Sequence, residues 1–248
     1  MNNEEYDKFK EECHEHLCGL QEKLKTEYQI GTYERWDYDQ HTGLLTFSTG
    51  DNQINFRYVS VGTYSRNTKT WKWAWDNEHT LEKVKGKIPE IKTFGEKHNI
   101  KELVTGLIDA DEEDGWYFTG IAANLLKGIG SYRAVSDHLL VFMVLMEYVD
   151  NETAQEIKDK FIECSEHGTD RAAFICQHLN TIDKVGFNES IPSDPNDIDP
   201  EEEYQAWCNA CEKRRLKSGE WTDEAMEFAN IKLVCNACYF EIKQANQN

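Results

Sequence analysis

The chain is poor in basic residues and has no long apolar run. Only 27 of its 248 residues are Lys or Arg, against 46 Asp or Glu, which gives a net charge of −19. A field of this sign repels phosphate backbones and anionic lipids, so binding to nucleic acid or membrane surfaces is disfavoured. The longest apolar run, Leu139 to Met146, is too short to span a membrane. Since Met1 to Lys10 also lacks the apolar segment of a signal peptide, we expect a cytoplasmic protein.

The short motifs of common enzymes are missing too. The sequence contains no G-x-S-x-G nucleophile turn, no P-loop, no G-x-G-x-x-G dinucleotide motif and no H-E-x-x-H zinc motif. This favours a non-enzymatic protein. An enzyme of unknown class stays open as an alternative, because residues far apart in sequence can meet in a cleft of the folded domain.

Cysteine carries the strongest chemical signal. Without a secretory signal, the eight cysteines indicate reduced thiols or metal ligands rather than disulfides. Four of them form two C-x-x-C pairs, Cys208/Cys211 and Cys235/Cys238, with 23 residues between the pairs. This spacing predicts one Zn²⁺ held by four thiolates. Such a site has no open position for substrate, so we predict a structural ion that stabilises the fold.

Further metal ligands lie upstream of these pairs. Cys176 and His178 are separated by one residue, and Cys164 and His167 come shortly before them. They are candidates for a second metal site or for residues that support the first one. The alternative is plain packing, because apolar residues surround Cys176 and free cysteine is common in protein cores.

The N-terminal part alternates between helical and strand patterns. Apolar residues recur every three to four positions over 3–29, which predicts a helix. Turn residues divide 32–75 into short strands, 79–98 and 111–127 are predicted helices, and 131–149 is a predicted hairpin. This order predicts an α+β domain over residues 1–150, with a largely antiparallel sheet.

Three tryptophans alternate along one predicted strand. Trp71, Trp73 and Trp75 would lie on the same face of the sheet, since side chains two residues apart share a face. Exposed, they would form a binding surface for a partner protein, because tryptophan is common at interface hot spots. Buried, they would form part of the core of the domain.

The C-terminal part is predicted in three segments. Residues 151–187 form a helical connector, with a break near Gly168. Residues 188–206 form an exposed acidic loop that contains three of the four prolines. Residues 207–248 form the four-cysteine zinc module, in which a strand leads into a helix at Cys235.

Two resemblances extend these predictions. The hairpin Tyr38-Asp-Gln-His-Thr-Gly-Leu-Leu-Thr-Phe47 and the strand Trp71-Lys-Trp-Ala-Trp75 resemble an uncharacterised bacterial domain family over about residues 10–149. The cysteine pairs resemble the treble-clef group of zinc fingers, although a predicted helix at Thr222–Phe228 departs from that pattern. The resemblances imply a bacterial, modular protein and identify no catalytic residue.

These observations favour an acidic interaction protein with a structural zinc site. One version is an immunity or antitoxin-like protein whose acidic surface binds a basic protein. The first alternative is an enzyme with a cleft in the 1–150 domain. The second is a zinc finger that binds nucleic acid through Lys213 to Lys217, which the negative charge of the chain disfavours.

Overall fold

The structure is a computed structural model that describes residues 1–195 and 202–247. The chain divides into two compact units, unit 1 (Met1–Gln155) and unit 2 (Glu156–Asn248). Both mix helices with largely antiparallel sheets, which confirms the predicted α+β class. No helix within the described ranges is long and apolar enough to cross a membrane.

Unit 1 opens with the predicted helix. Helix α1 covers Asn3–Glu27, and its first turn is closed by a capping box in which the side chain of Asn2 accepts from the Glu5 backbone N–H. The reciprocal bond runs from the Asn2 backbone N–H to the Glu5 carboxylate. The apolar stripe of the helix is buried, with Leu17 and Leu24 almost completely enclosed.

The sheet of unit 1 is built around one long strand. The first half of β3 pairs with β2, its second half pairs with β4, and β7 lies along its other side. All of these pairs are antiparallel, as the predicted hairpins require. The strands are β1 (Arg35–Asp39), β2 (Leu44–Thr49), β3 (Asn52–Ser65), β4 (Thr70–Trp73), β5 (Leu107–Asp109), β6 (Gly130–Val135) and β7 (Leu139–Val149).

The predicted helices of unit 1 are present with shorter bounds. The predicted helix 79–98 is divided at Gly86, which has a positive φ of 46° and ends the first piece. Pro89 then starts the second piece, since proline suits the first turn of a helix. The helices are α2 (Glu82–Lys85), α3 (Pro89–His98), α4 (Lys101–Val104) and α5 (Asp114–Leu126).

Trp71 and Trp73 lie in the core of unit 1. Both side chains are fully buried, and their rings pack edge to face with centroids 5.4 Å apart. Gly62 makes this packing possible, because a Cβ atom there would lie 2.4 Å from the Trp71 ring. The hypothesis that Trp71 and Trp73 bind a partner is therefore wrong for these two residues. Trp75 lies beyond the end of β4, in a 3₁₀ turn, and is half-buried.

Unit 2 differs from the predicted helical connector. Helix α6 (Asn151–Asp159) begins in unit 1 and is much shorter than the predicted connector. Two strands follow it where the sequence predicted helix. Gly168, with a φ of 72°, turns the chain between these strands. The remaining elements are β8 (Phe161–Cys164), β9 (Gly168–Ile175), β10 (Asn188–Glu189), β11 (Gln205–Trp207), α7 (Asn209–Ser218), α8 (Asp223–Ala229), β12 (Lys232–Cys235) and α9 (Asn236–Gln247).

The predicted acidic loop is anchored at both ends. β10 pairs with β11, which places residues 188–189 and 205–207 in the sheet of unit 2. Lys243 Nζ lies 2.9 Å from the carboxylate of Glu189 and donates to the Ser193 carbonyl over 2.6 Å. Pro200 and the other residues of 196–201 lie outside the described residues.

Candidate metal centres

Among the described residues of unit 2, two separate clusters combine three cysteines with one histidine. Site A consists of Cys164, His167, Cys235 and Cys238, and site B of Cys176, His178, Cys208 and Cys211. Within each cluster, all four ligand atoms lie within 4.8 Å of one another. The four cysteines of the two C-x-x-C pairs are therefore not brought together as one site. Each pair is instead completed by a cysteine and a histidine from around β9.

The direction of the strands causes this division. β11 runs parallel to β9 and leads into Cys208, so this pair arrives at the end of β9, where Cys176 follows. β12 runs antiparallel to β9 and ends with Cys235 opposite Ala172, so that pair extends in the other direction, toward the turn with His167. Cys235 lies opposite Ala172, four residues before Cys176, and four strand residues span roughly 13 Å, which is too far for a shared ion.

Site A joins a hairpin turn to the start of a helix. Nδ1 of His167 lies 3.4 Å from the sulfur atoms of both Cys235 and Cys238 and 3.7 Å from that of Cys164. The sulfur atoms of Cys164 and Cys238 are 3.8 Å apart. Around a tetrahedral Zn²⁺ with ordinary bond lengths, sulfur atoms lie about 3.8 Å apart and sulfur and nitrogen about 3.6 Å. The ligand atoms of site A thus fit a tetrahedral ion.

Site B is the more deeply buried cluster. All three of its cysteines are at most 1% exposed. Nδ1 of His178 lies 3.5 Å from the Cys211 sulfur, and the backbone N–H of Cys208 donates to the Cys176 sulfur over 3.3 Å. The His178 ring also packs on Phe228, with ring centroids 4.6 Å apart. These contacts fix both the imidazole and the sulfur atoms around one point.

The two C-x-x-C pairs do not form the treble-clef arrangement that their sequence resembles, because they lie in different sites. In that pattern, a turn with two ligands faces a second pair at a helix start. Here Cys235 and Cys238 begin helix α9 as predicted, but the turn that faces them carries Cys164 and His167. The predicted turn at Cys208 instead caps helix α7 in site B.

The environments of the thiols shift their pKa values in opposite directions. The pKa of Cys164 is lowered to about 6, because the backbone N–H groups of Glu166 and His167 donate to its sulfur. Burial raises the pKa of Cys238 to about 12, and it also raises the pKa values of Cys211 and Cys235. Several thiolates can share so small a buried volume when a divalent cation balances their charge, and binding then releases their protons.

Glu241 holds the histidine of site A in one orientation. Nε2 of His167 lies 3.3 Å from a carboxylate oxygen of Glu241, on the side of the ring away from the sulfur atoms. When Nδ1 binds a metal, Nε2 carries the proton and donates to this carboxylate. Such carboxylate–histidine–metal arrangements fix the tautomer and increase the basicity of the ligand nitrogen.

Replacing Glu241 by glutamine is expected to weaken metal binding at site A alone. The loss should be about tenfold, the lower end for such supporting residues, because the Glu241 side chain is 55% exposed. Competition between the protein and a zinc-binding dye measures both sites. The matched control, Glu227→Gln on helix α8, should change neither affinity. A loss at site B, or no loss at site A, would contradict the role of Glu241.

The predicted basic cluster on helix α7 is partly engaged within the protein. Arg215 forms an ion pair of 2.8 Å with Glu212, and the Arg214 guanidinium lies 3.8 Å from the centre of the Phe228 ring. Since two of its four cations already have protein partners, this cluster offers a weaker phosphate-binding surface than the sequence suggested.

The sequence contained a signal that points to two sites. The tetrapeptide Cys-Asn-Ala-Cys occurs twice, and each copy has a C-x-x-H or C-x-H segment upstream to complete it. Four cysteines and two further Cys–His pairs supply ligands for two ions, not for one. What each cluster can do chemically is limited, because its four protein ligands would fill a tetrahedral shell and leave no position for substrate.

Together these features define an α+β protein whose C-terminal unit carries two clusters of three cysteines and one histidine. The model of the DUF6882 family, a family of unknown function, matches residues 7–148. This is more than half of the chain, and the chain belongs to that family. The expectation of an uncharacterised family over the N-terminal domain is thus confirmed. No curated protein and no solved structure matches the chain.

Proposed function

We propose that unit 2 is a scaffold stabilised by two structural zinc ions, one in site A and one in site B. The observation that carries this proposal is the pair of separate four-ligand clusters, each with the donor set and the spacing of a tetrahedral ion. Three thiolates and an imidazole suit Zn²⁺, whereas Mg²⁺ and Ca²⁺ prefer oxygen ligands. A filled coordination shell favours a role in folding over a role in catalysis.

On this scaffold, we propose a non-enzymatic protein that binds a basic partner protein, in the manner of an immunity or antitoxin-like protein. Unit 2 carries 19 acidic and 10 basic residues. Loading both sites makes it more negative, because three thiolates around one Zn²⁺ leave a net charge of −1. A field of this sign attracts basic proteins and speeds their association, and it repels nucleic acid.

The zinc content of ligand variants tests the two-site arrangement. We expect about two ions per chain in the purified protein. Cys164→Ser and Cys176→Ser should each lower this number to about one, since each removes a ligand from a different cluster. The matched control Cys18→Ser, on the exposed side of helix α1, should keep both ions. If the ion were shared by the two C-x-x-C pairs, neither variant would change a content of one ion per chain. Atomic emission analysis of the dialysed proteins distinguishes the two results.

A further inference from the structure

Among the described residues of unit 2, helix α9 packs on one face of the sheet. Ala173 and Ile175 of β9 point toward helix α9, where Tyr239 and Ile242 complete a buried core. The alternate residues, Ala172 and Phe174, point to the other face and are only half-buried. Apolar surface that stays partly exposed is a common place for a partner to bind.

A cavity of about 450 Å³ lies on the face that carries Phe174. Phe174 lies on the β9 strand beneath it, Trp207 and Trp221 pack edge to face beside it, and Met226 and Ile231 line its rim. Met226 is 45% exposed and Ile231 38% exposed, so the apolar surface is open to solvent. The Trp207 indole is fixed, because its N–H donates to Glu212 over 2.6 Å. The walls of the cavity are thus aromatic, apolar and partly rigid.

The cavity continues along β9 into a second one. This second cavity, of about 350 Å³, shares Phe174 and Glu203 with the first and extends past Ala172 to Glu156 and Asp159. The two form one trough that is apolar at one end and polar at the other. An elongated trough along a strand suits an extended peptide segment better than a compact small molecule.

The polar end of the trough is acidic. Glu156, Asp159 and Glu203 line it together with Lys160 and Arg171. Arg171 is already held by the protein, because its guanidinium donates to the Glu202 carbonyl over 3.0 Å. With three carboxylates against two cations, in a unit rich in acids, the polar end favours Lys or Arg side chains.

We propose that this trough docks an extended segment of the basic partner. Large apolar side chains of the segment enter the cavity beside Trp207 and Trp221, and Lys or Arg side chains follow at Glu203 and Glu156. The inference rests on the proposed function, because site B holds the walls in place. Trp207 directly precedes the ligand Cys208, and Trp221 and Met226 lie in the segment between the two cysteine pairs.

Peptide selection on the zinc-loaded full chain tests this proposal. The probe is a phage library of random decapeptides, and enriched sequences are remade with a fluorescein label for polarisation measurements. We expect enriched peptides in which large apolar residues are followed by Lys or Arg. Met226→Glu and Glu203→Lys should each weaken binding at least tenfold, as should raising NaCl from 50 to 500 mM. The control Leu216→Glu, 62% exposed on helix α7 and outside the trough, should bind as the parent does.

Four results would overturn the proposal. These are no enrichment, enrichment of acidic peptides, binding that Met226→Glu leaves intact, and a co-purified small molecule that blocks the trough. Zinc is measured in every sample, so that a failure of the docking proposal can be distinguished from a failure of the zinc proposal. Two ions per chain without peptide binding reject the docking trough alone, whereas fewer than two ions in the parent protein reject the structural zinc sites.

Discussion

Removing zinc from the full chain is expected to unfold unit 2 and to leave unit 1 folded. A structural zinc site supplies about 10–16 kcal/mol at neutral pH, which matches or exceeds the whole stability of a typical domain, about 5–15 kcal/mol. The ligands of both sites lie between Cys164 and Cys238, all in unit 2. Unit 1 has its own core, built on α1, α5 and the long sheet, and contains none of these ligands.

Hydrogen–deuterium exchange with and without EDTA measures this outcome segment by segment. Peptides from 156–195 and 202–247 should lose protection in EDTA, while peptides from 1–155 keep theirs. Adding Zn²⁺ should restore protection, and adding Mg²⁺ in the same amount should not, since thiolates bind Mg²⁺ poorly. Full protection of unit 2 in a sample shown to be free of metal would reject zinc as its stabilising element.

Truncating Trp71 is expected to destabilise unit 1 by about 3–5 kcal/mol, the usual cost of replacing a buried tryptophan by alanine. The indole is fully buried, and its ring centroid lies between 5.2 and 5.4 Å from those of Trp73, Phe118 and Phe142. Its loss would leave a cavity among aromatic side chains that the surrounding strands and helix cannot fill.

Trp36→Ala is the matched control for this experiment. Trp36 is 41% exposed on the edge strand β1, so its truncation should cost about 1 kcal/mol. Urea unfolding, followed by exchange of unit 1 peptides, compares the two variants, and zinc content should stay at two ions in both. Equal losses for Trp71→Ala and Trp36→Ala would show that Trp71 does not stabilise the core in this way.

Local patterns in the sequence predicted much of the fold. The apolar stripe of α1, the short strands within 32–75, and the strand that leads into the helix at Cys235 all depend on neighbouring residues. The segment after α6 was predicted wrongly, because the spacing of its apolar residues fits a helix as well as a strand. Gly168 was interpreted as a break in a helix, whereas it turns a hairpin. β9 is a strand because it pairs with β8, β11 and β12.

The grouping of the metal ligands could not be predicted from spacing. Cys208 and Cys235 have the same local sequence, and each follows a short strand. They extend in opposite directions along β9 because one of these strands is parallel to it and the other is antiparallel. Strand direction depends on the route of the whole chain between them, which no local motif encodes.

The ligands of site B lie entirely between the two halves of site A, and this order has a consequence for the growing chain. On the ribosome, site B is complete when Cys211 emerges, while site A waits for Cys238, 27 residues later. His167 and Cys235 are 68 positions apart. Site B bridges the middle of this segment, so once it has closed, the flexible chain between His167 and Cys235 is about half as long. The shorter loop lowers the entropy cost of closing site A by about 0.6 kcal/mol. With both sites loaded as proposed, synthesis from the N-terminus would therefore favour closing site B before site A.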